Sequence, residues 1–444
     1  MSPSPLTAQQ VATWRDQLSR GCEGDAEELI DVIAELEDLV SAARAVQAEA
    51  TVKFDAARRA TEAAAGRSAR RQGRGVAGEI ALARKESHHR GQALLGLAKV
   101  LTSEMPHTLA RLRDGSLNEF RATILARETG CLDKEARITL DEELCADPKG
   151  LVGVGTKELL GRVRRRVATL DPAAVAKRAR RAERERRVAL RPAPDTMTYL
   201  TGLLPMAKGV AAFAALTKAA EAAIADGDPR TKGQLMADLL LTRVTGVPDT
   251  GTVEQSPAVP VTINITLPAT TLAGGHEPGI ITANGVTGDV IPAETARLLT
   301  AHTLTTGVGA WFRQLYTNPL GRLLALTSRQ RRFPDGLAEL LEIQGQGICA
   351  TPWCDAPIRH NDHITPYDLG GPTTHANGQG LCEACNHTKQ TDGWHQIPGS
   401  IHERPTVTTI TPTGHHYQAT APTPPGSREP RPHRLDITWR DAVA

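Results

Sequence analysis

The chain has 444 residues, which is enough for two or three domains. Hydrophobic residues make up 40 % and charged residues 23 %, so a chain that is disordered throughout is not expected. Only 3 % of the residues are aromatic, and an aliphatic, alanine-rich core of this kind favours helices over a β-sandwich. The formal net charge of +2 points to no partner by itself, so the charge has to be followed along the chain.

The N-terminal half is predicted to be helical. Residues 1–25 form a polar lead-in, and Asp25 is suited to cap a long helix because apolar residues recur at helical spacing from Leu29 to Ala43. A second helical block is expected from Ala77 to about Leu112. The remaining helices of this predicted domain, which spans residues 26–190, are expected at about 117–129, 134–145, 156–169 and from Pro172.

The helical domain is predicted to end in a strongly basic segment. Between Arg162 and Arg191 there are eleven Arg and one Lys against three acidic residues. The basic residues of the helix from Pro172 spread around its surface, which is typical of a solvated helix with internal ion pairs. The alternative is a surface that contacts the phosphates of nucleic acid. The residues assigned to that surface are Lys177, Arg178, Arg180 and Arg181.

The middle of the chain, residues 191–335, is predicted to continue the N-terminal domain with mixed α and β structure. Short strands are expected at 188–192, 197–205 and 259–268, and helices at about 205–225, 231–245 and 291–302. Residues 247–258 have the composition of a loop, and residues 311–326 are expected to form a hairpin. A short helix at 334–342 leads into a small C-terminal module at 336–400. The final segment, 401–444, is predicted to contain a hairpin and a disordered Pro-rich tail.

No segment of the sequence predicts export or membrane insertion. The N-terminus lacks the basic and apolar regions of a secretory signal, and no stretch reaches the roughly 20 apolar residues that a membrane span needs. Seven cysteines in a chain of this kind do not suggest disulfides. We therefore expect a soluble, cytoplasmic protein without a membrane partner.

Four of the seven cysteines form two close pairs. The spacings are Cys349-x4-Cys354 and Cys382-x2-Cys385, with 27 residues between the pairs. Two such pairs fit a tetrahedral zinc site with four thiolate ligands, in which each pair comes from one turn. The alternative, four reduced thiols in a small core, is weak because the segment has few large apolar residues. A site closed by four thiolates has no open position, so this zinc is expected to be structural.

The residues between and after the cysteine pairs carry the functional signal. D-H-I-x-P begins at Asp362, G-G-P-T begins at Gly370, Asn377 follows, and C-x-x-C-N-x-x-K ends at Lys389. This pattern resembles the HNH endonuclease motif, whose ββα-metal fold is a β-hairpin and a helix around one divalent ion. Other segments, including PRTKGQLMADLLLTRVTG at 229–246, resemble a bacterial family in which an HNH domain follows a long domain of unknown function (number 222).

The resemblance implies a role for each matching residue. His363 corresponds to the general base, and Asp362 beside it corresponds to a metal ligand. Asn377 corresponds to the residue that orients the catalytic histidine through a backbone contact. Asn386 matches the third motif position, which is more often His in the family, and the adjacent His387 is an alternative ligand there. Two further residues, Lys389 and Arg359, are assigned to contacts with the nucleic acid.

The residue types suit phosphodiester hydrolysis. A neutral imidazole is a general base at pH 7, and carboxylate and amide oxygens are hard ligands that suit Mg²⁺ or Mn²⁺. The sequence therefore predicts a metal-dependent endonuclease acting on DNA. Its expected fold is a mainly α N-terminal region, a small α+β middle part and a C-terminal ββα-metal (HNH) module with a four-cysteine zinc site.

Three alternatives to this prediction remain open at the level of sequence. The first is a non-catalytic, zinc-stapled DNA-binding protein whose metal site has decayed at Asn386. The second is a nuclease that acts on RNA, and the third is a nuclease that acts only within a complex. In each case the helical N-terminal region would position nucleic acid, bind a protein partner or contact a second copy of the chain.

Overall fold

The computed structural model describes residues 6–195, 197–246, 263–283, 286–305, 327–328, 330–400 and 404–426. The chain divides into two compact units, one made of residues 1–76 and 92–180 and the other of residues 77–91 and 181–444. The predicted loop at 247–258, the predicted hairpin at 311–326 and the predicted disordered tail beyond 426 lie outside the described residues. No helix of the described residues is long and apolar enough to cross a membrane.

The N-terminal half is helical, as predicted. Its helices are α1 (Ala8–Leu18), α2 (Ala26–Ala64), α3 (Val76–Arg84), α4 (His88–Ser103), α5 (Pro106–Arg113), α6 (Glu119–Glu128), α7 (Lys134–Cys145), α8 (Thr156–Leu170) and α9 (Pro172–Arg184). Asp25 caps α2 as expected, because its carboxylate accepts hydrogen bonds from the backbone of Glu27 and Glu28. The helical block predicted from Ala77 to about Leu112 consists of three helices, α3, α4 and α5. Lys85 adopts a positive φ of 55° after α3, and Pro106 starts α5.

The core of the first unit is aliphatic. The helices bury leucine, valine, alanine and methionine side chains against one another, and no aromatic side chain belongs to this cluster of the described residues. Its fully buried large members are Leu101, Met105, Leu112, Leu117, Leu125, Leu140 and Leu159. The low aromatic content of the sequence is therefore reflected in the way this unit is packed.

The middle part combines helices with small antiparallel sheets. Strands β1 (Arg187–Ala193) and β2 (Met197–Leu203) form a hairpin, and α10 (Met206–Ala225) packs against α11 (Lys232–Thr245). Strands β3 (Ile263–Thr266), β4 (Gly279–Ala283) and β5 (Val286–Ile291) form a second sheet. Two helices, α12 (Ala269–Leu272) and α13 (Ala293–Thr305), flank its strands in the chain. The predicted α+β character of this part is confirmed.

The C-terminal module is built on a β-hairpin followed by a helix. Its elements are β6 (Thr327–Ser328), α14 (Asp335–Gln344), β7 (His360–His363), β8 (Thr373–Thr374), β9 (Gly378–Leu381), α15 (Glu383–Lys389), β10 (His395–Pro398), β11 (Thr406–Ile410) and β12 (His416–Thr420). Strand β7 pairs antiparallel with β9, so that His363 lies opposite Gly378, and α15 follows β9 directly. The predicted terminal hairpin is β11 and β12, which β10 extends to three strands. The predicted fold class is thus confirmed.

Candidate functional site

The four paired cysteines converge on one point. The sulfur atoms of Cys349, Cys354, Cys382 and Cys385 all lie within 4.8 Å of one another, and all four residues are buried. Hydrogen bonds from Cys349 and the neighbouring thiols hold the pKa of Cys382 well below its usual range, and hydrogen bonding to Cys354 lowers the pKa of Cys349 to about 7. The same mutual hydrogen bonds raise the pKa of Cys354 and Cys385, as expected of thiols packed so closely that they cannot all ionise together, and zinc binding requires the thiolate form of each. The cluster fits a tetrahedral metal ion that ties the turn before β7 to the start of α15.

His363 lies at the end of β7 in a mostly apolar setting. Its side chain is buried, its Nε2 atom is 2.8 Å from the Thr373 hydroxyl oxygen, and its ring centroid is 4.5 Å from that of Phe333. Burial lowers the pKa of His363, the Asp362 carboxylate opposes this effect, and the positive charges of Lys389 and Arg331 reinforce it. The lowered pKa keeps the imidazole neutral at pH 7, which is the form that accepts a proton.

Asp362 is paired with Lys389 across the hairpin–helix contact. The Lys389 Nζ atom is 2.6 Å from Asp362 Oδ2 and also donates a hydrogen bond to the backbone carbonyl of His363. The Lys389 side chain is only 9 % exposed, so this ammonium is held inside the module and does not extend into solvent. The Asp362 carboxylate is therefore already paired with one cation, the Lys389 ammonium.

Asn386 and His360 form the neighbouring contact between the same two elements. Asn386 Nδ2 lies 3.0 Å from His360 Nδ1, one helical turn before Lys389. His360 and Asp362 are two residues apart on β7 and so share a face of the strand. His387 is exposed, with its ring centroid 6.2 Å from that of His360. Of the two residues considered for the third motif position, Asn386 is the one buried against β7.

Asn377 holds the loop that follows His363. Its side-chain amide accepts a hydrogen bond from Thr365 N at 2.8 Å and donates to the carbonyls of Thr365 and Pro372, both at 3.0 Å. A Cβ atom at Gly371 would overlap the Thr365 carbonyl oxygen, so only glycine allows this close approach. The Asn377 amide bonds the backbone of Thr365, two residues beyond His363. It therefore positions the histidine indirectly, by fixing the loop that follows it.

The predicted nucleic-acid contacts differ in their surroundings. Arg359 is exposed immediately before β7. On α9, Lys177 and Arg180 are exposed, whereas Arg181 pairs with Glu185 at 2.9 Å. The guanidinium of Arg178 pairs with the buried carboxylate of Glu128 at 3.2 Å and donates to the Glu128 carbonyl at 2.9 Å. Half of the four basic residues assigned to this surface thus make internal ion pairs.

These surroundings predict different effects of substitution along α9. Arg178→Ala is expected to lower the free energy of unfolding by about 1 kcal/mol, because the buried Glu128 carboxylate loses one of its partners. Replacing Lys177 and Arg180 together by Ala is expected to leave stability unchanged but to weaken DNA binding and reduce its dependence on salt by about two released counterions. Chemical denaturation and salt titration of DNA affinity measure the two effects. A salt dependence that stays at the wild-type value in the double variant would contradict a phosphate-contacting helix.

No role follows from the sequence for Thr373 or Phe333, which contact the candidate base, as does Tyr367 with its ring centroid 5.6 Å away. Thr373 belongs to the G-G-P-T segment, yet the spacing does not indicate that the loop at 364–372 returns its hydroxyl to the His363 ring. Phe333 lies before α14 and packs on that ring from a distant part of the sequence. Both contacts depend on tertiary folding, and no local pattern could have revealed them.

The hairpin, the helix and the cysteine cluster together define a ββα module of the HNH endonuclease type. A family model described as HNH endonuclease matches residues 349–392, and one described as Domain of unknown function (DUF222) matches residues 6–344. The second match covers more than half of the chain, and the chain therefore belongs to the DUF222 family and carries an HNH domain after it. Both parts of the predicted resemblance are confirmed. No curated protein and no solved structure matches the chain.

Proposed function

We propose that the chain is an endonuclease that hydrolyses phosphodiester bonds of DNA with the help of a divalent metal ion. The observation that carries the proposal is the buried His363 beside Asp362, on a strand that faces α15 within the residues matched by the HNH endonuclease model. A neutral imidazole next to a carboxylate that attracts cations is the combination required to activate water near a phosphate.

In this proposal His363 removes the proton of the attacking water. In the tautomer whose Nε2–H donates to the Thr373 hydroxyl oxygen at 2.8 Å, Nδ1 is the ring nitrogen that accepts the proton. Asn377 is a positioning residue, because it fixes the loop that leads away from His363. Phe333 packs on the ring and keeps bulk water away from it, which maintains the neutral form.

The candidate ligands of the divalent ion are oxygen atoms of Asp362 and Asn386. Carboxylate and amide oxygens suit Mg²⁺ or Mn²⁺. The Lys389 ammonium bound to Asp362 Oδ2 occupies the kind of position at this carboxylate that a metal cation would take. When bound, the divalent ion would stabilise negative charge on the phosphate and on the leaving oxygen. Zinc in the four-cysteine cluster would have a structural role.

The positive charge of Lys389 is expected to weaken binding of the divalent ion, since both interact with the Asp362 carboxylate. Lys389→Met removes the ammonium and keeps the apolar stem, so the affinity for Mn²⁺ should rise about tenfold through loss of charge repulsion. Titration calorimetry on the full chain measures the affinity. Lys232→Met is the matched control, because Lys232 pairs with Glu221 at 2.6 Å elsewhere in the same unit. An unchanged Mn²⁺ affinity in Lys389→Met would show that the ion binds away from Asp362.

A second candidate function is a non-catalytic DNA-binding protein. It is favoured by one observation, namely that both candidate ligands already have protein partners: Asp362 has Lys389, and Asn386 has His360. The two functions differ in the fate of DNA. Purified chain should cut supercoiled plasmid with Mg²⁺ or Mn²⁺ and not with EDTA if it is an endonuclease. It should bind the plasmid without cutting under all three conditions if it is only a binding protein.

A further inference from the structure

Two parts of the DUF222 match, residues 77–91 and residues 181–344, belong to the same compact unit as the HNH module. The family model covers residues 6–344 without interruption, but residues 77–91 group with residues 181–444, whereas residues 1–76 and 92–180 form the other unit. Residues 77–91, which we call the inserted segment, contain α3 from Ala77 onward and the first turn of α4. Before residue 181 the described chain is helical, and within that stretch only the inserted segment belongs to the unit that contains the candidate site.

Helix α3 is largely buried, and Ala83 is its one exposed residue. Five consecutive residues, Gly78 to Leu82, are buried, whereas a surface helix would expose a polar face in every turn. The one charged residue among them, Glu79, accepts a hydrogen bond at 2.8 Å from the hydroxyl of Thr413, which lies between β11 and β12. The inserted segment is thus an interior element that the C-terminal strands also contact.

The inserted segment packs directly on the back of α15. A Cβ atom at Gly78 would lie 2.8 Å from the Thr388 methyl carbon and 3.4 Å from the ring of Trp394. His88 Nε2 lies 2.9 Å from the hydroxyl oxygen of Thr388. The remaining cavity between the segment and the helix is about 20 Å³, so the two surfaces fit closely and leave no room for a ligand.

Thr388 connects this contact to the candidate site. Successive residues of a helix are about 100° apart, so Thr388 lies on the side of α15 opposite to Asn386. Lys389, the next residue, pairs with Asp362. Displacement of α15 at Thr388 would therefore also move Asn386 and Lys389, the two residues that face β7.

We propose that the inserted segment positions α15, so that the DUF222 part of the chain supplies a structural element of the nuclease site. Gly78 and His88 are positioning residues, because they act on Asn386 and Lys389 only through Thr388. That the positioned residues form a nuclease site rests on the proposed function, whereas the positioning of α15 by the inserted segment does not. DUF222 in this chain is therefore more than a separate domain attached to the nuclease.

The first test compares two glycines of helices in the N-terminal half. Gly78→Leu places a side chain into Thr388 and Trp394, whereas Gly96 of α4 has no atom within 4 Å of a Cβ position. In the full chain, Gly78→Leu should speed hydrogen exchange of the 383–390 amides at least tenfold and weaken Mn²⁺ binding at least threefold. Gly96→Leu should leave both at wild-type values. Unchanged exchange in α15 of Gly78→Leu would overturn the proposal.

The second test keeps the volume of the contact and removes one hydrogen bond. Thr388→Val loses the hydroxyl that bonds His88, and Thr388→Ser retains it. We expect Thr388→Val to speed hydrogen exchange of the 383–390 amides with zinc content unchanged, and Thr388→Ser to retain the wild-type exchange. Equal exchange in the two variants would overturn the positioning role even if Gly78→Leu fails to fold. Absence of DNA cleavage together with the expected exchange effects would refute the proposed function and leave this inference standing.

Discussion

Replacing His363 with alanine is expected to lower the rate of DNA cleavage by about 10²–10⁴-fold, the usual contribution of a general base. The imidazole is buried, is held at Nε2 by Thr373 and has a lowered pKa, so it is poised as a neutral base beside Asp362. Alanine leaves the four cysteines and the exposed basic residues in place. Zinc content and DNA affinity should therefore stay at wild-type values while cleavage of supercoiled plasmid is lost.

Two further variants separate the base from its neighbours. Asp362→Ala removes a candidate metal ligand, so its defect should shrink when Mg²⁺ or Mn²⁺ is raised, whereas the defect of His363→Ala should not. His395→Ala is the matched control, because His395 is an exposed histidine on β10 of the same unit. Cleavage by His363→Ala at the wild-type rate would rule out His363 as the general base.

The parts of the fold that could be predicted from sequence are those with local causes. The cap of α2 needs only Asp25 and the residues up to Glu28, the start of α7 follows from Asp133, and the two ends of α11 follow from Thr231 and Gly246. Each cysteine pair is equally local, since it is a spacing within one turn, and the HNH motif is a series of short matches between Asp362 and Lys389. These features were therefore open to prediction without any knowledge of tertiary contacts.

The parts that could not be predicted depend on contacts between distant segments. The ion pair between Lys389 and Asp362 joins α15 to β7, and an isolated lysine near a motif more naturally suggests an exposed phosphate ligand. The membership of residues 77–91 in the unit that contains the HNH domain joins positions about 300 residues apart, as in the bond between His88 and Thr388. Apolar periodicity indicates that α3 is a helix but not which element packs against it.

The four-cysteine cluster is expected to be essential for the fold of the C-terminal module. The hydrophobic cluster around the cysteines contains only Leu381 as a further buried residue, with Ala350 and Ala356 packed against it in the described part of the chain, and Leu337 and Leu340 of α14 belong to a separate cluster. Such a core buries too little apolar surface to hold the turn at 349–354 against the start of α15 by itself. Because metal binding supplies folding free energy in small units of this kind, zinc should provide the missing stability.

Replacing Cys382 and Cys385 together by serine should therefore remove about one zinc per chain and unfold the module around it. Metal analysis measures the zinc, and hydrogen exchange of residues 349–395 measures the fold. Serine at Cys22 and Cys131, which are an exposed and a half-buried cysteine outside the cluster, is the matched control and should retain both. Cleavage should fall with the fold, because β7 and α15 would no longer hold His363, Asp362 and Lys389 together. Zinc that persists in the Cys382→Ser, Cys385→Ser variant would show that the metal is bound by other residues.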